Sequence, residues 1–431
     1  MTDQTSNPVS RDPMTGLRDW RTFFQDVKKG IAHGIHAHVI LVQLIQLKRV
    51  NRKHGIQTGN KLLCDIGEYL KTFDPRYTAY RTNSSRFILL GPDCTQQQAE
   101  DAIDRIRIRF QENWPVEGDG VTQEVSAKAY FIHFFLDPRD TEIDLLDKMN
   151  HAVSVYLSRE KRGILFFNEE LTSDMLHKRY ILNETRYAVE HKTFQVYYQP
   201  IYDCGEARFT SAESLIRLRG RDGSPISPGE FIPMAEENGL IDNISWIVLE
   251  KVCEFLGSHP ELPLKSVSVN MTGQQVLDPT FVGRIENNLE KYQVEGSRLR
   301  IEITERTITD DFDEVRKVMA YLSKRGIQFY LDDFGTGYSN LSSMLSLPFE
   351  VIKFDQSLVK MMDETDKGLR TIGLLADIMH ENDYCIVAEG IETASQVRNA
   401  QEHKLDRIQG YYYAKPMPGD ALVSFLAQQA E

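Results

Sequence analysis

The second part of the chain alternates between two kinds of hydrophobic pattern. From about residue 194 onward, short runs of apolar and β-branched residues are separated by amphipathic segments of helical period. This alternation is typical of βα units that build a mostly parallel sheet, and eight such runs match a closed (β/α)8 barrel. The predicted strands are Gln195–Ile201, Phe209–Leu218, Val267–Met271, Leu299–Thr304, Gln328–Leu331, Val351–Phe354, Cys385–Ala388 and Ile408–Ala414.

The connection between the first two runs departs from this pattern. Only Asp203–Glu206 separates them, whereas a crossover between parallel strands needs about a dozen residues or more. We therefore predict that the first strand is antiparallel to the second. The amphipathic segments that predict the main helices are Phe231–Phe255, Phe281–Tyr292, Phe312–Lys324 and Leu369–Asn382.

The hydrophobic pattern changes near residue 168. Ile164–Phe167 is typical of a short strand, and the residues from about Asn168 onward have an amphipathic helical period. We predict an α/β protein with a first domain over residues 11–168, a helical connector over residues 169–192 and a barrel domain over residues 193–431.

Composition and charge fit two soluble globular domains. The chain has 431 residues, of which 41% are hydrophobic and 26% are charged, so collagen-like, disordered and disulfide-scaffold classes are excluded. Residues 1–170 hold 23 basic and 23 acidic side chains, and residues 171–431 hold 27 and 40, so the second part carries the whole net charge of -13. This charge excludes a nucleic-acid binder that depends on overall positive charge.

The sequence also bears on location. It contains no run of about 18 apolar residues, so no transmembrane helix is expected. The 5 cysteines are odd in number and unclustered, which favours a reducing cytoplasm.

Polar side chains recur at the ends of the predicted barrel strands, which meet on one face of such a barrel. Several carboxylates in one mouth repel each other, and two divalent cations would remove that conflict. Ligand sets made of oxygen favour Mg²⁺ or Mn²⁺ over zinc, and paired metals are typical of phosphodiester hydrolysis. These residues are Glu213, Arg217, Asn270, Glu302, Glu305, Asp332, Asp333, Lys353, Glu389, Glu392 and Gln409.

Each of these acids alone also has a structural interpretation. A single glutamate in a strand is usually solvated or salt-bridged, and Asp332 and Asp333 resemble a helix cap or turn before Gly335. The whole set in register is harder to explain structurally, because buried ionisable groups are costly unless they are paired or bind a metal.

Residues 171–431 resemble the EAL family of cyclic di-GMP phosphodiesterases along their whole length. The family's Glu-Ala-Leu triplet is Glu213-Ser-Leu215 here, so only the small middle residue differs. The other matching stretches are Tyr197-Tyr-Gln-Pro-Ile201, Pro228–Gly239, Ser268-Val-Asn270, Glu302-Ile-Thr-Glu305, Asp332–Ser339, Lys353, Glu389-Gly-Ile-Glu392 and Gln409-Gly-Tyr411.

The resemblance implies roles for individual residues. Glu213, Asn270, Glu302 and Asp332 would hold one metal, and Asp332 would bridge to a second metal held by Asp333 and Glu389. Lys353 would position or deprotonate the nucleophile, so that Lys353, Glu213 and Glu389 form the catalytic set. Arg217, Gln199 and Gln409 would bind the substrate. Glu305 would anchor the loop Asp333–Ser339, and Glu392 would support the metal ligands without binding the metal itself.

Residues 11–170 resemble the GGDEF diguanylate cyclase domain more weakly, through Asp12–Leu17 and Leu41–Gly55. The resemblance implies an α+β domain with a central antiparallel sheet flanked by helices. The Gly-Gly-Asp-Glu-Phe turn is replaced by Asn83-Ser-Ser-Arg-Phe87, and Gln43 and Ile45 stand where the family has metal-binding aspartates. We therefore expect no cyclase activity. The product-inhibition motif of the family, Arg-x-x-Asp, is also absent, because Asp74 and Tyr77 occupy the positions of its arginine and aspartate. A structural or regulatory role, with at most weak GTP binding, is therefore expected.

The leading hypothesis is a metal-dependent phosphodiesterase that opens cyclic di-GMP to linear pGpG, using two Mg²⁺ or Mn²⁺ ions. The alternatives are a receptor that binds cyclic di-GMP without cleaving it and a scaffold that acts through protein contacts. The resemblance also implies a homodimer formed through the EAL domain. No nucleic-acid partner and no membrane segment in this chain are expected.

Overall fold

The chain divides into two units, Met1–Arg179 and Tyr180–Glu431, called here the first and second units. The computed structural model describes residues 9–118, 121–137, 139–158, 164–304, 312–335 and 347–429.

A six-stranded sheet forms the centre of the first unit. Its four inner strands are antiparallel, as predicted, and the two edge strands pair in parallel with their neighbours. The strands are β1 (Arg18–Asp19), β2 (Ala37–Ile45), β3 (Thr78–Asn83), β4 (Arg86–Pro92), β5 (Asn113–Gly118), β6 (Val121–Ser126), β7 (Lys128–Leu136) and β8 (Ile164–Phe166). The sheet order is β1-β3-β4-β2-β7-β8, and β5 and β6 form a separate hairpin.

Helices cover both faces of this sheet. Ile40 and Val42 of β2 belong to the hydrophobic cluster on one face, and Val39 and Leu41 belong to the cluster on the other face. Burial on both sides explains why β2 is continuously apolar instead of alternating. The helices are α1 (Trp20–Ala32), α2 (Leu47–His54), α3 (Ile56–Thr72), α4 (Gln96–Arg109), α5 (Glu142–Ser158) and α6 (Glu169–His191), the last of which continues into the second unit.

The second unit contains the predicted eight-stranded barrel. Neighbouring strands are parallel except β9, which pairs antiparallel with both β10 and β17 and so closes the barrel. The antiparallel first strand is therefore confirmed. The strands are β9 (Gln195–Asp203), β10 (Arg208–Arg219), β11 (Pro225–Ile226), β12 (Ser266–Met271), β13 (Leu299–Thr304), β14 (Gln328–Phe334), β15 (Phe349–Phe354), β16 (Cys385–Ala388), β17 (Arg407–Ile408) and β18 (Met417–Pro418), with β11 and β18 pairing outside the closed ring.

Helices follow most of the barrel strands. Among the helices that the structure describes, none combines the length and the apolar character needed to cross a bilayer. The helices are α7 (Pro228–Glu237), α8 (Ile241–Ser258), α9 (Gly273–Val276), α10 (Phe281–Tyr292), α11 (Phe312–Ser323), α12 (Gln356–Glu364), α13 (Asp366–Glu381), α14 (Ala394–Glu402) and α15 (Gly419–Gln428), and Gly296–Arg298 is a 3₁₀ turn.

Two predicted elements differ from the structure. The helical segment Phe231–Phe255 is divided into α7 and α8, because Gly239 has a φ of 66° that a helix cannot continue through. The last predicted strand, Ile408–Ala414, is wrong beyond Ile408. From Gln409 the chain turns against the residues after β16, and a Cβ at Gly410 would lie 2.0 Å from the Ile391 carbonyl oxygen.

Two histidines are buried against each other in the first unit. His38 Nδ1 lies 2.8 Å from His133 Nε2, and each side chain is 3% exposed. Burial lowers the pKa of both imidazoles, although a hydrogen bond with the Cys94 backbone and the charge of Glu100 partly oppose this for His38. Burial and the neighbouring His38 lower the pKa of His133 to about 4. Phe135 and Phe166 pack against the pair and supply no compensating charge.

We expect this pair to make the first unit less stable in acid. The folded pKa of His133 lies below its unfolded value, so its contribution is complete above pH ~6.5 and is lost as the pH falls toward ~4, by about 3 kcal/mol. Hydrogen exchange of β2 and β7 amides at pH 7.5 and 4.5, converted to opening free energies, measures this loss. His133→Gln, which stays neutral and can still donate, should reduce the pH dependence. His33→Gln, at an exposed position, should leave it unchanged, and equal pH dependence in all three proteins would exclude the pair as the cause.

Candidate active site

The barrel brings six of the predicted residues to one end of its strands. Glu213 lies on β10, Asn270 on β12, Glu302 on β13, Asp332 on β14 and Lys353 on β15, and Glu389 directly follows β16. The parallel register places Asn270 opposite Glu302 and Thr304 opposite Asp332. Because side chains alternate along each strand, these positions share the inner face of the barrel.

The ammonium group of Lys353 lies at the centre of four carboxylates. Its Nζ is 2.7 Å from Glu389 Oε1, 2.8 Å from Glu302 Oε2, 3.1 Å from Glu213 Oε2 and 3.2 Å from Asp332 Oδ1. Lys353 and Glu302 are both 0% exposed. One buried ammonium therefore faces four acidic groups, and this cluster is called here the Lys353 cage.

The charge imbalance shifts the pKa values of the cage. Burial by itself lowers the pKa of Lys353, but Asp332, Glu213, Glu302 and Glu389 together raise it well above its ordinary value. Burial raises the pKa of Glu302 well above its ordinary value and that of Glu389 to about 8. Burial also disfavours the charged form of Glu213, but Lys353 and the neighbouring amides lower its pKa overall. The protein's own groups thus keep Lys353 protonated.

Several oxygen atoms in and beside the cage lack a hydrogen-bond partner. Glu302 Oε1 and Gln409 Oε1 are buried without one, and Asp332 Oδ1 contacts Lys353 at ion-pair distance without hydrogen-bond geometry. Buried acceptors of this kind are costly, and an oxygen-only set suits a hard divalent cation. The residues therefore fit such an ion. However, in the part of the chain that the structure describes, no three acidic, His or Cys side chains are arranged around a common metal position.

A cavity of about 340 Å³ opens beside the cage. Asn270, Asp332, Asp333 and Arg217 line it on the polar side. Asn270 Nδ2 donates to Glu213 Oε1 at 3.1 Å, which leaves the amide oxygen of Asn270 free to bind a cation. The apolar wall of the cavity comes from α7 and α8 and includes Ile232, Ile244 and Val248.

Arg217 is held at the rim of this cavity. Its Nη1 donates to the Ile216 carbonyl oxygen at 2.9 Å, and its guanidinium lies 5.3 Å from the ring centre of Tyr197. Tyr197 belongs to one of the stretches that match the family, but no separate role was predicted for it. The position of Tyr197 follows from the antiparallel pairing of β9 with β10. Arg217 on β10 lies opposite Gln195 on β9, so Tyr197 on β9 is close to Arg217.

Gln199 and Gln409 lie behind Glu213. Gln409 Nε2 donates to Glu213 Oε2 at 2.6 Å and to Gln199 Oε1 at 3.1 Å, and Gln199 Nε2 donates to the Ala414 carbonyl oxygen. Neither glutamine is among the residues that line the described cavity. Their contacts orient Glu213, and their role in substrate binding stays a prediction.

The remaining predicted residues are less informative. Glu392 is exposed, and its backbone N–H donates to Gln396 Oε1 in the cap of α14. Asp333 has a left-handed φ of 57° and lines the cavity. Glu305 and the part of the loop beyond Gly335 lie outside the described residues.

In the first unit, the substituted cyclase positions form a neutral and basic cluster. Asn83–Phe87 forms the β3–β4 hairpin, and Gln43 lies beside it on β2. Gln43 Nε2 donates to Ser85 Oγ at 2.7 Å, while Gln43 Oε1 accepts from Arg86 Nε at 3.0 Å. The guanidinium of Arg86 thus lies among neutral groups at the positions where the family has metal-binding acids.

Comparison with known proteins agrees with this division of the chain. The model of the EAL domain matches residues 182–416, and that of the diguanylate cyclase GGDEF domain matches residues 9–155. The cyclic di-GMP phosphodiesterase NbdA of Pseudomonas aeruginosa is 26% identical over 96% of this chain and 54% of its own length. MucR of the same organism, a bifunctional diguanylate cyclase and cyclic di-GMP phosphodiesterase, is 25% identical over 94% and 59%.

A solved structure of a phosphodiesterase is also similar to this chain. The PaMucR phosphodiesterase in complex with c-di-GMP matches 56% of this chain and 99% of its own, with 28% identity and a TM-score of 0.53. The chain spans about half the length of the first curated relatives that it matches. The family models together with the barrel and its acidic mouth identify the chain as a member of the EAL domain family, and in this chain a region that matches the GGDEF domain precedes the EAL domain.

Proposed function

We propose that the second unit hydrolyses cyclic di-GMP to linear pGpG. The observation that carries this proposal is the Lys353 cage at the mouth of an EAL barrel, next to a cavity with a basic rim. The phosphodiesterase named among the relatives and the solved complex with c-di-GMP support the same substrate. The proposed catalytic domain covers residues 193–431, the first domain residues 11–168 and the connector residues 169–192.

The proposed ligands follow the positions of the acids. Glu213, Asn270, Glu302 and Asp332 would hold one Mg²⁺ or Mn²⁺ ion, and Asp332, Asp333 and Glu389 would hold a second. When bound, such ions lower the pKa of water and stabilise negative charge on a phosphoryl group.

The protein's own groups would position the substrate and balance charge. Arg217 can donate to a phosphate from the cavity rim, and Tyr197 supports its guanidinium. Lys353 neutralises part of the cage. It orients Glu213 and Glu302 through hydrogen bonds and Glu389 through an ion pair. Gln409 holds the Glu213 carboxylate from behind. A role for Lys353 as proton acceptor is not supported by the charges of the protein alone, since these raise its pKa.

The first unit is proposed to lack diguanylate cyclase activity. The cluster of Gln43, Ser85 and Arg86 contains no acid, whereas the chemistry of cyclisation requires ligands for divalent metals. A regulatory or structural role, weak GTP binding and pairing of two copies through the EAL domain stay predictions. The five cysteines are free thiols, and this is compatible with the proposed cytoplasmic location.

Lys353→Met should strongly slow turnover. It removes the ammonium and leaves four carboxylates facing each other, so without metal we expect the free energy of unfolding of the second unit to fall by about 3–5 kcal/mol. Hydrolysis, measured by chromatography of cyclic di-GMP and pGpG, should slow at least about a hundredfold. The matched control is Lys291→Met, whose ammonium pairs with Glu250 at the surface and should contribute little to stability, because solvent screens the pair. Retained turnover in Lys353→Met would refute the role of Lys353, and no pGpG from the wild type with Mg²⁺ or Mn²⁺ would refute hydrolysis. If the wild type binds cyclic di-GMP under those conditions, the receptor alternative would replace it.

Divalent metal should stabilise the second unit directly. Any ion that binds only the folded state raises its stability by mass action, by about 2.7 kcal/mol at a hundred times the dissociation constant. Thermal unfolding with EDTA and with increasing Mg²⁺ or Mn²⁺ should show a rising Tm. Asp332→Asn, which removes the proposed bridging carboxylate, should reduce this rise, whereas Asp278→Asn on the surface should not. An identical Tm with EDTA and with either metal would count against a metal site in the cage.

GTP should not be converted to cyclic di-GMP. The experiment uses Lys353→Met, so that any cyclic product would escape hydrolysis by the barrel. Mass spectrometry after incubation with GTP and Mg²⁺ should detect none. Accumulation of cyclic di-GMP that is lost in Arg86→Ala would show that the hairpin is an active cyclase site.

A further inference from the structure

A second polar cavity lies in the first unit, between α2 and the β5–β6 hairpin. Its volume is about 330 Å³, and it is called here the α2 cavity. Three long cationic side chains line it: Arg49 and Lys53 from α2, and Lys128 from the start of β7. His54 also lines it, and Glu124 is the only acid among its lining residues in the described part of the chain.

The cations of the α2 cavity are not neutralised by the protein. Within the described ranges, Arg49, Lys53 and Lys128 have no carboxylate within 4.0 Å and no side-chain hydrogen bond. Many other surface cations do have such partners, for example Lys61 with Asp65 and Arg107 with Asp104. Like charges that line one cavity repel each other, and an anion in that cavity would remove the repulsion.

The start of α2 adds to the positive potential of the cavity. Gln46, which lines the cavity, precedes α2 with a left-handed φ of 65° and makes no side-chain cap. The first turn of α2 contains no acid, so its N-terminal N–H groups lack the usual negative partner. A helix start of this kind attracts anions. All ionisable side chains of α2 are basic, since Lys48, Arg49, Arg52, Lys53 and His54 occur without an acid between them.

The α2 cavity shares one residue with the substituted cyclase positions. Its lining includes Ile45, but not Gln43, Asn51, Ser85 or Arg86. Neutral donors complete it, because Asn113 and Ser126 stand on the hairpin side. His54 is oriented by its Nδ1, which lies 2.9 Å from Gln123 Oε1.

We propose that the α2 cavity binds a small anion that carries phosphate groups. Arg49 and Lys53 are one helical turn apart and lie on the same side of α2, with Lys128 across the cavity. This arrangement suits two adjacent phosphoryl groups better than one, because a guanidinium can bind two oxygens of one group while the ammonium groups reach the next. The site goes beyond the hydrolysis proposed for the second unit and uses none of its residues.

Inorganic pyrophosphate is the probe for this site. Isothermal titration calorimetry of the full chain, at constant ionic strength and without divalent metal, should show saturable binding with a stoichiometry of one. Arg49→Gln combined with Lys53→Gln should weaken it about tenfold or more. The matched control is Lys48→Gln combined with Arg52→Gln, which removes the same charge from the same helix outside the cavity lining and should change the affinity much less. Circular dichroism confirms that both variants remain folded.

Three results would overturn the proposal. The first is no saturable binding of pyrophosphate by the wild type. The second is an equal loss of affinity in both double variants, because α2 would then attract anions only through its total charge. The third is binding to phosphatidylserine vesicles that depends on Arg49 and Lys53 without any binding of pyrophosphate, which would reassign the surface to lipid headgroups. None of these measurements depends on cyclic di-GMP turnover, so the two proposals fail independently.

Discussion

The burial of one ammonium among four carboxylates is the constraint on which the second unit depends. Lys353, Glu213, Glu302, Asp332 and Glu389 come from five positions around the barrel, and each is in contact only because the ring is closed. Closure requires β9 to pair with both β10 and β17. The short turn between β9 and β10, which forces the antiparallel direction, is thus a precondition for the cage.

The cage is not balanced by the protein. One ammonium cannot neutralise four acids, so Glu302 and Glu389 are driven toward their protonated forms while Lys353 is held charged. A core selected only for stability would replace such a cluster by apolar residues of similar volume. Its presence beside a cavity of about 340 Å³ fits the proposal that the site binds a cation and a phosphodiester.

The polar clusters of the first unit differ in charge from the acidic cage of the second unit. At the hairpin of the first unit, Gln43 forms an amide bridge between Ser85 and Arg86, and the cluster needs no added cation. The α2 cavity of the same unit keeps cations without partners instead. The acidic cage and the basic cavity therefore differ in the charge of the ligand that each would take, although residues 1–170 carry no net charge.

The sequence by itself determined the classes of element, the antiparallel first strand and the set of acids at the strand ends. Period-two and helical patterns follow from local burial, and a short turn excludes a crossover whatever the rest of the chain does. Tertiary structure alone decided the contacts: that Lys353 lies among the acids, and that Gln199 and Gln409 lie behind Glu213 instead of in the cavity lining. It also decided where the last strand ends, because the close approach of Gly410 to Ile391 joins residues that no local pattern relates. Distances between side chains on different strands depend on strand register and on closure of the barrel. Neither can be read from the hydrophobic period of a single segment.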